Sequence, residues 1–270
     1  PKISEFIKKL PANFFTLTDT LTVSRTRKMI EGQETALTFP IKEKPFNLFV
    51  TPNELGNFES FEELFDHFPP MLSGYQPSFY LEESEEETDV LHDERQRDRF
   101  LVKMLYILMV KRLESSWFSF FSTVGKIKDH HQNALDRIKA YQQEKKSNTL
   151  KEDSDDLFED DELEAEYEEY SLGKKRKVKL SDIDVAGNLE YFKNDLKKDL
   201  ESLDSIYSNL LKFQSQIEKE TIQPTNHTSA DHKLEVLIKQ IEQKRQSGHN
   251  DNNQKVVIFT VYRDTAEYLF

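Results

Sequence analysis

Eight residues set a period that few folds accommodate. Trp117, Phe120, Val124, Ile127, His131, Ala134, Ile138 and Tyr141 follow one another in alternating steps of three and four, which places all of them along one face of an α-helix. At 1.5 Å per residue this seam is about 37 Å long. It lies in a span, from about Asp93 to about Lys145, that has no proline and one glycine, Gly125, so one long helix is predicted there. A second seam runs through Leu203, Ile206, Leu210, Phe213 and Ile217, and extends backwards through Leu189, Phe192, Leu196 and Leu200 with a one-residue slip. Two such helices must bury their seams, and the simplest arrangement is an antiparallel, coiled-coil-like helical hairpin. The expected fold class is therefore mainly α.

The stretch between the seams is built differently. Residues 152–169 carry twelve acids and no base, against a net charge of −13 for the 270-residue chain. With those twelve set apart the rest is nearly neutral, so the total charge says nothing general about nucleic acid. A run that repels itself is predicted to be a mobile tip, over residues 147–185. The alternative use for residues 152–169 is to grip a basic partner.

Before the first seam, six of the nine prolines fall between residues 40 and 77, which predicts irregular or extended backbone. Within it PFNLFVTP suits one strand, and Phe58, Phe61, Leu64, Phe65 and Phe68 have helical spacing. After the second seam, a polar linker around Pro224 precedes a helix expected from Asp231 to about Gln246. The chain then reads KVVIFTVYRDTAEYLF. Val256, Val257, Ile258 and Phe259 form a continuous apolar run of the kind buried on both faces of a parallel sheet, and Asp264 is a candidate N-cap for a following helix. A strand, loop and helix start are half of a βαβ unit, which implies that these residues belong to a larger protein, as does the lack of an initiator Met.

Chemistry is mostly excluded. With no cysteine there is no thiolate catalysis and no cysteine zinc site, and an intracellular, cytoplasmic home is expected. The longest strongly apolar run, Met104 to Val110, is far short of the ~20 residues that span a bilayer. Neither Gly-Lys pair, at Gly125 or Gly173, has the second glycine five residues earlier that a phosphate-cradling loop needs. His130 and His131 are adjacent on a helix, and His227 with His232 lacks a third ligand, so no metal site is read. Two clusters remain. KRLESSWFSFF joins Lys111, Arg112, Glu114, Ser115 and Ser116 to aromatic residues, and only the aromatics are explained by a core. VSRTRKMI carries Arg25 and Arg27, which suit bidentate contact with phosphate or carboxylate.

These segments carry a resemblance. KVVIFTVYRDTAEYL resembles motif IV, the first strand of the second RecA-like lobe, in bacterial SNF2-like helicases of superfamily 2. LMVKRLESSWFSF is similar to that family's KRLESS helix, and TVSRTRKMI to its arginine-rich VRRTR element, with Ser24 departing from the usual first Arg. The stretch from Phe39 fits the inter-lobe linker more loosely. The resemblance implies a middle fragment of a DNA-dependent ATPase: residues 1–35 as the tail of the first RecA-like lobe, 36–92 as the linker, 93–221 as a helical insertion, 222–254 as a connecting helix and loop, and 255–270 as the start of the second lobe. It implies ATP and Mg²⁺ as cofactors of the parent protein, DNA and the flanking lobes as partners, and no catalysis by this fragment alone. Thr260 and Arg263 are the implied nucleic-acid contacts. Arg25 and Arg27 are placed near the inter-lobe cleft, and Lys111, Arg112, Glu114 and Ser115 at a polar junction holding the hairpin base to a lobe. A different class of function, a coiled-coil interaction protein whose acidic loop recruits a basic partner, is the alternative.

Overall fold

The computed structural model describes residues 10–21, 44–49, 58, 60–82, 88–147, 157, 178–222, 230–247 and 253–270. The described chain is mainly α-helical and divides into two compact units, Pro1–Phe49 and Val50–Phe270. In the first, helix α1 (Ala12–Leu21) begins directly after Pro11, whose ring cannot donate an amide proton and so belongs at a helix start. Residues 45–49, the described part of the expected strand PFNLFVTP, have no regular structure, and Phe46, Leu48 and Phe49 are exposed. Arg25 and Arg27 lie outside the described residues.

The second unit contains α2 (Phe61–Asp66), α3 (Thr88–Ser115), α4 (Trp117–Ser147), α5 (Leu180–Val185), α6 (Leu189–Ile222), α7 (His232–Gln246) and α8 (Arg263–Leu269). All eight residues of the first seam are buried on α4, and on α6 every seam residue from Leu189 to Phe213 is buried. The two faces meet. Trp117 lies edge-on to Phe213 at 5.3 Å, Phe121 stacks on Tyr207 at 4.7 Å, Lys128 pairs with Asp204 at 3.1 Å, and Gln142 donates to Glu190 at 2.6 Å. Partners step down α6 as they step up α4, so these two helices run in opposite directions.

The single helix expected over 93–145 is in fact two. Phe68 sits against both Tyr106 (6.2 Å) and Phe120 (5.9 Å), residues that a straight helix would hold about 21 Å apart. The chain therefore turns back between them, at Ser116. The cause is local: the Ser116 hydroxyl accepts the Ser119 amide at 3.1 Å, which makes Ser116 the N-cap of α4. Nothing in the apolar period marks this break.

Between α2 and α3, in the stretch read as a linker, residues 72–78 are buried in a wedge of two 3₁₀ turns, Ser73–Tyr75 and Pro77–Tyr80, against α3, α4 and α6. Buried irregular backbone must find polar partners, and here the helices supply them. The Ser73 amide donates to Asp199 at 2.6 Å, its hydroxyl bonds the same carboxylate, and the Ser78 hydroxyl donates to Asp98 at 2.6 Å. His131 accepts the Gly74 amide at 3.2 Å while His130 bonds the Gly74 carbonyl at 3.1 Å. Both histidines are thus buried structural clamps. A Cβ at residue 74 would stand 3.1 to 3.2 Å from both imidazoles, so the close approach requires glycine.

At the far end of the stretch expected to be a mobile tip, 147–185, the described residues are packed. Leu180 and Ile183 of α5, with Leu157 from within the acidic run, are buried in a cluster with Ala134, Ile138, Tyr141, Phe192 and Leu196. Three apolar side chains with a cavity wall to cover outweigh the charge around them. The rest of the acidic segment lies outside the described residues.

At the C-terminus, residues 253–260 form no strand, and Val257 and Phe259 are 74% and 92% exposed. The β-branched run has the side chains for a sheet, but no second strand pairs with it among the described residues, and a strand exists only by pairing. No helix among the described residues is long and apolar enough to cross a membrane.

Candidate functional site

The turn at Ser116 creates a corner where several polar groups have partners far away in sequence. Arg112, in the last turn of α3, is buried, and its guanidinium meets Asp264 of α8 at 2.6 Å and the Ser119 hydroxyl at 3.4 Å. It also lies over the Tyr262 ring, 4.8 Å from the centroid. A buried guanidinium without a carboxylate would carry a large desolvation cost; Asp264 offsets it and the ring face adds to the attraction. Asp264 is therefore an ion-pair partner in the first turn of α8 and not the N-cap expected of it. That position is Tyr262, which makes no side-chain cap bond.

Beside this pair, the Thr265 hydroxyl is buried within 2.8 Å of the Ser115 hydroxyl and 2.9 Å of the Ser116 hydroxyl. Ser115 also lies 3.4 Å from the Thr260 hydroxyl. One turn further on, the Trp117 indole N–H donates to the Tyr268 hydroxyl at 3.0 Å, and Tyr268 in turn donates to Asp231 at 2.7 Å. The other oxygen of Asp231 accepts the Leu234 amide at 3.0 Å, so this carboxylate caps α7, which begins one residue later than the sequence suggests. Lys233 then donates to the carbonyls of Glu114 and of Ser115, the latter at 2.8 Å, satisfying acceptors that the end of α3 leaves over.

The electrostatics follow from this enclosure. Burial raises the Tyr268 phenol well above its ordinary range, with Asp231 adding to the rise and the bond from Trp117 opposing it. Partial desolvation lowers the Lys233 ammonium, against the pull of Asp231 and Glu114.

Arg112, Ser115 and Thr260 are thus brought together, and Glu114 takes part through its backbone carbonyl. Lys111 is exposed, and no polar contact of its side chain stands out among the described residues. Arg263 points to solvent with its guanidinium 2.7 Å from Glu267, one turn along α8. Ser116, noted in the sequence beside Ser115 but given no role there, belongs to the same network, as do Trp117, Asp231, Lys233, Thr265 and Tyr268, which sequence reasoning misses as site residues. Their signal was composition: a hydroxyl-rich and aromatic YRDTAEYL opposite a hydroxyl-rich and aromatic LESSW. Among the described residues no three His, Asp or Glu side chains gather as a metal site. Comparison with protein-family models, with curated proteins and with solved structures returned no match.

Proposed function

We propose that this chain is the inter-lobe linker and helical brace of an ATP-dependent DNA translocase or helicase of SNF2 type. The observation that carries this reading is the corner. The two segments on which the resemblance chiefly rests, KRLESSW and TVYRDTAEYL, lie 149 to 152 residues apart in the paired positions, yet they meet through an ion pair and several hydrogen bonds. In a motor whose lobes close on ATP, a segment that begins one lobe must be tied to something stiff if closure is to move DNA. The antiparallel hairpin of α4 and α6 is that stiff element, and Arg112, Ser115 and Ser116 are the tie.

The chain itself does not fit ATP and Mg²⁺. Neither Gly-Lys pair has the glycine spacing of a phosphate loop, so no step of hydrolysis is assigned to its residues. Nucleic-acid contact falls to Arg263 before Thr260. The Arg263 guanidinium is exposed and needs only to exchange Glu267 for a phosphate, whereas the Thr260 hydroxyl is turned toward Ser115. The alternative, a coiled-coil interaction protein whose acidic loop recruits a basic partner, rests on residues 152–169, of which only Leu157 is among the described residues.

The test is ATP hydrolysis by the full-length protein with and without duplex DNA, repeated for Arg112→Ala. Stimulation by DNA that falls in the variant, with the thermal melt showing a folded protein, supports the brace. A folded full-length protein that hydrolyses no ATP in either condition overturns the reading.

A further inference from the structure

Helix α7 is fifteen residues long and buries no side chain. A helix of that length is marginal in water on its own, so its polar attachments, beside the half-buried Leu234, Val236, Leu237 and Ile241, bear on where it lies. At its start, Asp231 caps the first turn and accepts Tyr268 of α8, and Lys233 reaches the end of α3. At its end, Lys244 donates to the carbonyl of Lys255, in the extended segment that leads to α8. The described stretches 231–247 and 253–268 therefore form a loop joined to itself at two points, the far one being Lys244 with Lys255 and the near one Asp231 with Tyr268.

We propose that the Asp231–Tyr268 bond is a clasp at the neck of this loop, making α7, the extended segment and α8 a single body that shifts as one on the Ser116 corner. The near junction suits that role. Asp231 and Trp117 are both more than nine-tenths buried, Tyr268 stacks on Phe118 at 5.5 Å, and one carboxylate serves two tasks, one oxygen on the helix cap and the other on the phenol. Movement of α8 is then carried to the first turn of α7 through one side chain. The proposal does not depend on the motor reading, since it concerns how parts of this chain are coupled.

Amide hydrogen exchange on the full chain tests it, with Tyr268→Phe, Asp231→Asn and the double variant. Asparagine keeps a cap acceptor for Leu234 but not the carboxylate oxygen that Tyr268 uses. Loss of one such hydrogen bond, at about 1 kcal/mol, predicts exchange about fivefold faster. That acceleration is expected in residues 235–246 and 263–269 together, with 124–141 and 192–213 unchanged. Both single variants should accelerate the same residues, Asp231→Asn somewhat more because it also removes the charge that faces Lys233, and the double variant no more than Asp231→Asn alone, because the bond to Tyr268 is already gone in it. Acceleration confined to 263–269, acceleration that spreads equally to the core helices, multiplication of the two single effects, or no change at all would each overturn the clasp.

Discussion

The seam between α4 and α6 and the corner at Ser116 are held together by opposite means. Along the seam, contact is apolar, repeated every three or four residues, and spread over many side chains, of which Phe120, Val124, Ile127, Leu203 and Ile206 are fully buried. At the corner, contact is polar and concentrated: one guanidinium, four hydroxyls (Ser115, Ser116, Thr265 and Tyr268), two carboxylates and an indole, joined through α8 and the first turn of α7. A distributed apolar contact fails only when the whole element unfolds. A concentrated polar contact can be released by itself, because water replaces its bonds at little net cost. The difference predicts two classes of mutational outcome in one small unit.

The largest effect is expected in the seam. Phe120 is wholly buried and packs on Phe65 and Phe68, at 6.0 and 5.9 Å. Phe120→Ala should cost about 3–5 kcal/mol of unfolding free energy. In denaturant titrations the circular dichroism of the helices and the fluorescence of Trp117 should shift together. Separate transitions for the two probes would mean that the seam is not one cooperative element.

At the corner the cost has a ceiling. Asp264→Ala leaves the Arg112 guanidinium buried without its carboxylate, a change that can reach several kcal/mol when nothing relaxes. Here the segment 260–268 can detach and let water in, so the loss stops at the free energy of detachment, about 1–3 kcal/mol on the scale of a few hydrogen bonds. Trp117 fluorescence should change in the native baseline, since Tyr268 leaves its edge, while the main unfolding midpoint of the helices moves little. A midpoint shift as large as that of Phe120→Ala would erase the distinction between the two regions.

The same contrast explains what could be read in advance. A period of three and four is written in neighbouring residues, so every seam position from Trp117 to Tyr141 was legible. The helix after Asp231 was legible too, but that Asp231 itself stands outside it as the N-cap was not. Arg112 and Ser115 stood out only because an apolar helix gave them no task. Their partners did not stand out, since Asp264 has the local look of a cap and Thr265 has no look at all. Pairing across some 150 residues leaves no local mark. The wedge at Ser73 to Ser78 was hidden likewise: prolines predicted irregular backbone correctly, but its burial depends on Asp98, His131 and Asp199, none of them near it in the chain. The break at Ser116 was concealed because the apolar period of α4 starts at Trp117 whether or not a helix precedes it. The strand at Val256 shows the opposite error, in which local character was strong and the required neighbour was not among the described residues.

Alkaline titration separates the two regions by a smaller effect. Tyr106, whose ring borders Phe68 in the core, has its phenol pushed up to about 12 by burial and then by the charge of Asp199. Tyr268 at the corner is raised too, chiefly by burial. A phenol whose pKa is higher in the folded state keeps its proton there while the unfolded chain loses it near pH 10. Above that pH the folded state binds more protons than the unfolded, and stability falls as pH rises. The contribution of Tyr106 is thus complete below about pH 10 and is lost progressively up to about pH 12. Lys233, lowered by desolvation, works the other way: just below its ordinary pKa the unfolded chain holds more protons, so its share of stability grows with pH through that window. Lys233 opposes Tyr268 only up to its ordinary pKa, and above it Tyr268 acts alone; the corner should still move the main midpoint less than the core does, because the segment 260–268 can detach by itself. The expected outcome is a urea midpoint that falls across this range in the wild type and falls less steeply in Tyr106→Phe, whose midpoint at pH 8 is lower because the bond from Tyr106 to the Pro69 carbonyl is gone. If Tyr268→Phe flattens the profile as much as Tyr106→Phe does, ionisation at the corner is coupled to the whole unit, and the two regions are not energetically separate.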